Sequence, residues 1–200
     1  MAKTWKDSEI SLDPIKDQTI AIIGYGIQGD AQANNLKDSG LKVIVGLKEG
    51  GSSWNKAVND GHEVMSVAEA CKMADIIHIL IPDMVQSQVY KNEIEPNLSE
   101  GNALAFSHAA AIYWGWIKAP DNVDIIMVAP KGPGSKVRET YLDGFGTPSI
   151  VAVEQDKTGT AWDRTLGIAK GIGSARAGLI KTTFKEEVET DWFGEQADLC

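Results

Sequence analysis

The feature that most constrains the fold of this chain is an apolar run that leads directly into three spaced glycines. Thr19–Ile23 has the composition of a buried strand, and the pattern G-x-G-x-x-G follows it at Gly24, Gly26 and Gly29. The first glycine of such a turn permits a tight bend, the second lets the backbone approach a pyrophosphate, and the third lets a helix pack closely on the strand. The pattern predicts a strand, a turn and a helix in succession, with the turn as a candidate dinucleotide site.

A lone G-x-G-x-x-G is a weak signal, because glycine turns of this kind can also serve packing alone. Here the turn has the required context, since it follows an apolar strand and opens a predicted helix. The amides of Ile27 and Gln28, at the start of that helix, would face the phosphates. Dinucleotide binding is therefore favoured over a purely structural turn.

Short apolar runs and amphipathic stretches alternate along most of the chain, which is typical of a parallel sheet with crossover helices. Strands are predicted over Thr19–Ile23, Lys42–Val45, Ile76–Ile81, Ala103–Phe106, Asp124–Ala129, Ser149–Val153 and Gly178–Thr182. Helices are predicted over Gln28–Ser39, Ser53–Asp60, Ser66–Ala74, Met84–Glu93, Ser135–Leu142 and Gly159–Gly171. The predicted fold class is α/β, a doubly wound, Rossmann-type parallel sheet.

Composition bounds the size and the setting of this fold. The chain has 200 residues, 43% of them hydrophobic, which is enough for one domain with a sizeable core. A net charge of −9 disfavours nucleic acid as a partner, and the apolar run Ile76–Ile81 is too short to span a membrane. Cys71 and Cys200 follow no metal or disulfide spacing, and Met1–Ser11 is too polar for a signal peptide. We therefore expect a reducing, cytoplasmic setting.

The end of the second predicted strand should choose between NAD and NADP. An acidic side chain there accepts the ribose 2′-hydroxyl, whereas cations and hydroxyls bind a 2′-phosphate. Lys48, Ser52 and Ser53 favour the phosphate, although Ser53 has a structural alternative as a helix N-cap and Glu49 argues for NADH. We expect NADPH, with NADH as the alternative.

Two further turns follow predicted strands at the same edge of the sheet. Pro82 and Asp83 form a typical helix start with Asp83 as the cap, and beside the glycine turn the same residues would line the cofactor. The segment Lys131–Gly134 brings a cation and two glycines to that edge, where a buried or partly buried lysine would indicate function.

The strand and helix alternation ends near Thr183, and Phe184–Leu199 has the pattern of one acidic helix. Asp191 and Glu195 are four residues apart, so they project from one face of that helix and can present oxygens to a hard cation such as Mg²⁺. Acidic helices are more often solvated faces, so the spacing alone leaves both interpretations open.

Taken together, these segments resemble the ketol-acid reductoisomerases. The resemblance rests on Gly24–Gly29, Val45–Gly50, Ile81–Gln86, Ala129–Gly134 and Glu189–Gln196, in the family's order and spacing. It implies catalytic roles for His108 and Lys131 and magnesium ligation by Asp191 and Glu195. It implies cofactor binding by Tyr25, Gly26, Ile27, Gln28, Lys48, Ser53, Asp83, Met84, Val85, Gln86 and Gly134. Gly51 stands where the family commonly has a phosphate-binding serine, with Ser52 beside it as a substitute.

Such enzymes convert 2-acetolactate or 2-aceto-2-hydroxybutyrate to 2,3-dihydroxy acids in branched-chain amino-acid (valine, isoleucine, leucine) biosynthesis. They do so by alkyl migration and hydride transfer, with NADPH and two Mg²⁺ ions. The resemblance thus implies a small 2-acetohydroxy acid substrate and a homo-oligomeric full enzyme. It also implies an all-helical, knotted C-terminal domain with further metal ligands, of which this chain has the first helix. We expect an NADP-binding domain over residues 1–182, the start of that missing domain over 183–200, and an inactive fragment.

One departure from the family leaves alternatives open. After His108 the family usually has a Gly-Phe-Asn-Ile type of stretch, whereas this chain has Ala109–Trp116 with three aromatic residues. That stretch serves either helix and core packing or the substrate. A non-catalytic nucleotide-binding or self-associating module is the alternative function, and another NADP-dependent dehydrogenase would share the glycine turn without explaining Asp191 and Glu195.

Overall fold

The predicted sheet is present and forms the centre of the molecule. The structure, a computed structural model, describes the backbone of residues 2–198 and the side chains of residues 2–194. The strands of this range are β1 Thr4–Trp5, β2 Thr19–Ile23, β3 Lys42–Gly46, β4 Glu63–Met65, β5 Ile76–Ile79, β6 Ala103–Phe106, β7 Asp124–Pro130, β8 Ser149–Gln155 and β9 Leu179–Lys181. They form one sheet in the order β1-β9-β8-β7-β6-β5-β2-β3-β4.

Helices cover both faces of this sheet. They are α1 Ile27–Asp38, α2 Trp54–Asn59, α3 Val67–Met73, α4 Asp83–Val89, α5 Ala110–Tyr113, α6 Gly134–Leu142, α7 Ala161–Gly171, α8 Ser174–Ala177 and α9 Phe184–Asp198. Single 3₁₀ turns lie at Asp7–Glu9, Asp13–Ile15 and Glu95–Asn97, and a π-helical turn at Tyr90–Ile94 continues α4. Among the described residues, no helix is both long and apolar enough to cross a membrane.

Strands β2 to β7 are parallel, as predicted, and have the doubly wound order. The predicted doubly wound parallel sheet is confirmed, and it is extended by β8, which is antiparallel to β7, and by β9, which follows the direction of β8. The reason for the direction of β8 lies in the turn after α6, where Gly144 and Gly146 have φ of 77° and 89°. These left-handed residues fold the chain back along α6, so that β8 starts beside the end of β7 instead of crossing to the opposite edge.

Two apolar clusters, one on each face of the sheet, make up the core. In β2, Ile20 and Ile22 face the layer of α1 and α7, whereas Ala21 and Ile23 face the layer of α3 and α5. The second layer also contains the buried side chains of Phe184 and Val188 from α9. The domain boundary predicted at residue 183 stays a prediction, but the first turns of α9 pack on the sheet.

Two helix starts differ in detail from the predictions. The cap of α4 is Pro82, and Asp83 is its first residue, so the expectation that Asp83 caps the helix is wrong. Its carboxylate instead accepts a hydrogen bond of 2.8 Å from the side chain of Gln86. Ser53 does precede α2, but its side chain makes no capping hydrogen bond.

Candidate functional site

The glycine turn lies where the strand order reverses between β2 and β5, which is where doubly wound sheets form a ligand crevice. Gly24 has φ of 99°, and a Cβ atom there would lie 2.7 Å from the side chain of Ile81. A Cβ atom on Gly29 would lie 2.2 Å from the carbonyl oxygen of Gly24. These two glycines are therefore required by the backbone turn and by the approach of α1 to β2.

Gly26 differs from both of them. Its φ is −78°, and a Cβ atom built on it would meet nothing within 4 Å. It occupies the cap position of α1 without a side chain that could cap the first amides, which include those of Ile27 and Gln28. The turn thus leaves open space at the positive end of a helix, an arrangement that fits a pyrophosphate.

An open cleft of about 560 Å³ extends from this turn to the end of β3. Its wall contains the predicted residues Lys48, Ser52 and Ser53, while Glu49 is not among the lining residues. Tyr25 also lines the cleft, but its side chain is buried and donates a hydrogen bond of 2.9 Å to Asp60. Burial and this bond raise the pKa of Tyr25, so the phenol stays protonated and anchors the turn to the end of α2.

A second, smaller pocket of about 180 Å³ lies on the other side of Leu80 and Ile81. Its lining brings together four predicted residues, Gln28, Asp83, Gln86 and His108. Gln86 is buried, and its Oε1 has no hydrogen-bond partner among the described residues. Met84 and Val85, by contrast, are exposed, with Met84 94% accessible, and they line neither the cleft nor this pocket.

Gly134 packs directly against the glycine turn. A Cβ atom at Gly134 would lie 2.2 Å from the carbonyl oxygen of Ile27, so only glycine allows α6 to approach α1 this closely. Lys131, three residues earlier, is not buried, because 39% of its side chain is exposed. Its ammonium group lies 3.3 Å from Asp191 and 3.7 Å from Glu187.

His108 lies at the centre of a charged cluster at the carboxyl edge of the sheet. Its Nδ1 is 3.1 Å from Glu187 and 3.6 Å from Asp191, and its Nε2 is 3.8 Å from Asp83. The hydrogen bond to Glu187 raises the pKa of His108 above its ordinary value, although burial acts in the opposite direction. One ligand atom from each of His108, Glu187 and Asp191 lies within 4.8 Å of the others, so these three side chains could hold a metal ion.

Glu187 is the member of this cluster that was not singled out from the sequence. Its side chain is 1% exposed, and it binds both the imidazole of His108 and the amide of Ala109. The signal was available, because Glu187, Asp191 and Glu195 repeat every four residues and therefore share one helix face. Position 195 lies in α9, but the side chain of Glu195 lies outside the described residues.

The aromatic stretch after His108 forms α5 and the turn that follows it. Its alanines Ala109, Ala110 and Ala111 are buried, which supports the packing interpretation for this part. The aromatic rings are instead near the surface, where the Trp114 ring stacks 5.5 Å from that of Trp192 in α9. The stretch thus joins α5 to the helix that carries Glu187 and Asp191.

Comparisons with known proteins agree with this geometry. Residues 14–178 match the family described as acetohydroxy acid isomeroreductase, NADPH-binding domain. The whole chain aligns with 84% sequence identity to the ketol-acid reductoisomerase (NADP(+)) of Nitrosopumilus maritimus, and the alignment covers 60% of that protein. It aligns with 60% identity to the protein of the same name from Methanocaldococcus jannaschii, and that alignment covers 61% of the relative. A solved structure of an NADH-preferring ketol-acid reductoisomerase from an uncultured archean covers 99% of the chain with a TM-score of 0.96 and 46% identity.

The match covers 61% of the length of that solved structure. The chain likewise spans about 60% of the length of the curated relatives. The family match covers most of the chain and includes the glycine turn, the pocket at His108 and Lys131. The chain therefore belongs to the acetohydroxy acid isomeroreductase (ketol-acid reductoisomerase) family, whose NADPH-binding domain it matches.

Proposed function

We propose that this chain is the nicotinamide-cofactor part of a ketol-acid reductoisomerase, and that it supplies half of an active site completed by the rest of a longer protein. The observation that carries the proposal is the position of the His108 cluster, which shares a small pocket with Gln28 of the glycine turn. A cofactor whose pyrophosphate lies on the turn would thus bring its nicotinamide ring toward His108, Lys131 and the acidic helix.

The proposed reaction has two successive steps. A methyl or ethyl group moves from C2 of the acetohydroxy acid to C3 as the C2 hydroxyl loses its proton, and the former carbonyl oxygen takes up a proton. The new C2 ketone then receives hydride from the cofactor and one more proton, which gives a 2,3-dihydroxy acid. Negative charge therefore develops on substrate oxygens in both steps, and nearby cations lower its cost.

NADPH is the proposed cofactor, with NADH as the alternative. Lys48 and the hydroxyl groups of Ser52 and Ser53 line the cleft at the end of β3, where a ribose 2′-phosphate would lie. Glu49 does not line it, which weakens the argument for NADH.

Magnesium is the proposed metal, held here by Asp191 and Glu195 with Glu187 close by. The donor set fits, because Mg²⁺ prefers carboxylate oxygens and the described carboxylates of Glu187 and Asp191 have oxygen atoms within 4.8 Å of each other beside His108. Bound there, magnesium would supply electrophilic stabilisation of substrate oxygens. The chain's own residues hold and move protons: Glu187 fixes one ring nitrogen of His108, and the ammonium group of Lys131 is available to a substrate oxygen.

The alternative function leads to a different measurement. A non-catalytic nucleotide-binding or self-associating module would bind a dinucleotide without turnover in any longer form of the protein. The test is oxidation of NADPH with 2-acetolactate across a magnesium series, for the 200-residue chain and for the protein extended to the length of its relatives. We expect turnover only from the extended protein, as a cytoplasmic homo-oligomer, whereas turnover from the 200-residue chain would overturn the proposal of a half site.

A further inference from the structure

A buried histidine lies beneath the pocket that holds His108. His78 is in the middle of β5, has no exposed surface, and is paired in register with Ile22 on one side and Ala105 on the other. The small side chain of Ala105 leaves room for the imidazole on the face of the sheet that α1 covers. Burial lowers the pKa of His78 to about 3, so the ring is neutral at physiological pH and has one donor and one acceptor nitrogen.

The neighbours of His78 fix which nitrogen is the donor. Gln28 donates to the carbonyl oxygen of Gly132, so its own Oε1 must accept, and Gln32 donates to it at 3.1 Å. Gln32 also donates to the hydroxyl oxygen of Ser107, and that hydroxyl donates its only proton to the carbonyl of Val128. Ser107 can therefore only accept from His78, which makes Nε2 the protonated nitrogen of the ring across the 3.3 Å contact.

This chain of bonds joins three segments of the candidate site. The three segments are the turn of His108, which Ser107 precedes, the glycine turn, which contains Gln28, and the segment after β7, where Gly132 follows Lys131. Both Gln28 and Ser107 line the pocket of about 180 Å³. On its other side, the same backbone is held by the carboxylate of Glu187, which accepts from the amide of Ala109. The turn that carries His108 is thus fixed from both sides, and the sheet side depends on buried neutral groups.

We propose that His78 is a positioning residue, which holds Ser107 from beneath the sheet and so sets the turn of His108 against Gln28 of the cofactor site. The inference rests on the proposed function, because the position that His78 would control is that of the proposed cofactor site. It also gives a reason for a polar side chain in a strand whose other residues are all isoleucine. A histidine that only filled core space would not need a partner at the pocket wall, and an apolar side chain would fill that space without the cost of burying a polar ring.

The direct test is the tautomer of His78, measured by nitrogen-15 NMR of the 200-residue chain. The bond directions require the Nε2–H form, and the resonance should stay unchanged as the pH falls from 8 to about 5, since the ring resists protonation. Observation of the Nδ1–H form, or of ring protonation in that range, would contradict the proposed bond from His78 to Ser107.

The functional test compares three substitutions on the same strand. His78→Leu keeps the volume and removes the donor, His78→Gln keeps an N–H group at a similar reach, and Ile76→Val loosens the same core layer without touching the network. We expect His78→Leu to raise the dissociation constant of NADPH about fivefold, the effect of one lost hydrogen bond, with Gln restoring most of it. The amide signals of residues 107–109 should shift in the Leu variant only.

Ile76→Val should lower the melting temperature without either change. If His78→Leu does not fold, Ser107→Ala removes the same contact from the other side and should shift the amide signal of Ala109. Unchanged amide signals and NADPH affinity in a folded Leu or Ala variant would refute the positioning role. If the parent chain itself does not bind NADPH, the proposed cofactor function fails, whereas the tautomer and amide signals still decide the role of His78.

Discussion

Gly26 lies in the glycine turn and Gly134 packs against that turn, but the two positions require glycine for different structural reasons. The conformation of Gly26 suits any residue, and the space where its side chain would be is open. Gly134 has no such space, because the backbone of Ile27 lies where its Cβ atom would be. One glycine leaves room for a ligand and the other for a neighbouring helix, so substitutions at the two should affect different properties.

We expect Gly26→Val to weaken NADPH binding at least tenfold while the fold remains intact, since a branched side chain would fill the space of the pyrophosphate. Fluorescence titration gives the affinity, and circular dichroism checks the fold. Gly134→Ala is the matched comparison, and it should lower the free energy of unfolding by about 1–3 kcal/mol because two backbones must separate. Unchanged affinity in a folded Gly26→Val variant would show that the turn does not hold a pyrophosphate.

His108 makes stability depend on pH. Its pKa is raised in the folded protein by the hydrogen bond that its ring donates to Glu187, so the folded protein binds a proton at His108 more tightly than the unfolded chain does. The stabilisation is fully present below the unfolded pKa of about 6.5 and is lost as the pH rises through the folded value. In the absence of metal, the contribution of His108 to the free energy of unfolding should therefore fall from pH 6 to pH 8, whereas the buried and neutral His78 contributes in the opposite direction.

Denaturant unfolding of the parent and of Glu187→Gln at several pH values isolates this contribution. The variant keeps the size of the side chain but removes the charge that holds the imidazolium, so the parent should exceed the variant in unfolding free energy by more at pH 6 than at pH 8. An identical slope of stability against pH in the two proteins would mean that Glu187 does not control the ionisation of His108.

The strands and helices with a clear pattern of apolar residues could be predicted from the sequence. Strands β2 and β6 have the predicted bounds, and α1 and α3 differ from prediction by one residue at each end. The capping box at Ser66 and Glu69 explains why the start of α3 was clear, because both of its bonds are local. Elements that depend on distant partners, such as β1 and β4, are too short to show a pattern of their own.

The direction of β8 and the burial of Glu187 could not be predicted for the same reason. A strand has no sequence signal for its direction, which here follows from the turn at Gly144 and Gly146. A carboxylate in an acidic helix has no signal for burial, which here follows from the docking of α9 through Phe184 and Val188. Residues on one turn, such as Gly24, Gly26 and Gly29, needed no tertiary information and could be interpreted individually.

The loop between β3 and α2 is the element that should select the cofactor. We expect Lys48→Ala to reduce the preference for NADPH over NADH about tenfold, since a charge-assisted bond to phosphate is worth about 1.5–3 kcal/mol and NADH lacks that phosphate. Lys42→Ala is the matched control, because Lys42 is at the other end of β3 and its loss changes the net charge equally. Equal loss of both cofactors, or an equal effect of the two substitutions, would remove Lys48 from the selection.

At the scale of the whole molecule, one helix links the sheet to the proposed metal site. The first turns of α9 are anchored in the core, and Asp191 lies one turn beyond Glu187, where the Trp114 and Trp192 rings also contact. Lys131 directly follows β7, whereas Asp191 lies in α9, 60 residues later in the chain. The position of the acidic helix is thus set by the packing of its first turns on the sheet.

In the extended protein we expect Asp191→Asn or Glu195→Gln to raise the magnesium concentration for half-maximal turnover at least tenfold. Each amide keeps the size of the side chain but removes a negative charge from an oxygen ligand, and Mg²⁺ gives up its water only for strong oxygen donors. Glu189→Gln is the matched control, because its exposed side chain lies near Lys185 and away from His108. The measurement is NADPH oxidation with 2-acetolactate across a magnesium series, with NADPH affinity as a check that the cofactor domain is intact. If both site variants keep the magnesium dependence of the parent, these two carboxylates do not hold the metal, and if Glu189→Gln behaves like them, the effect is one of overall charge.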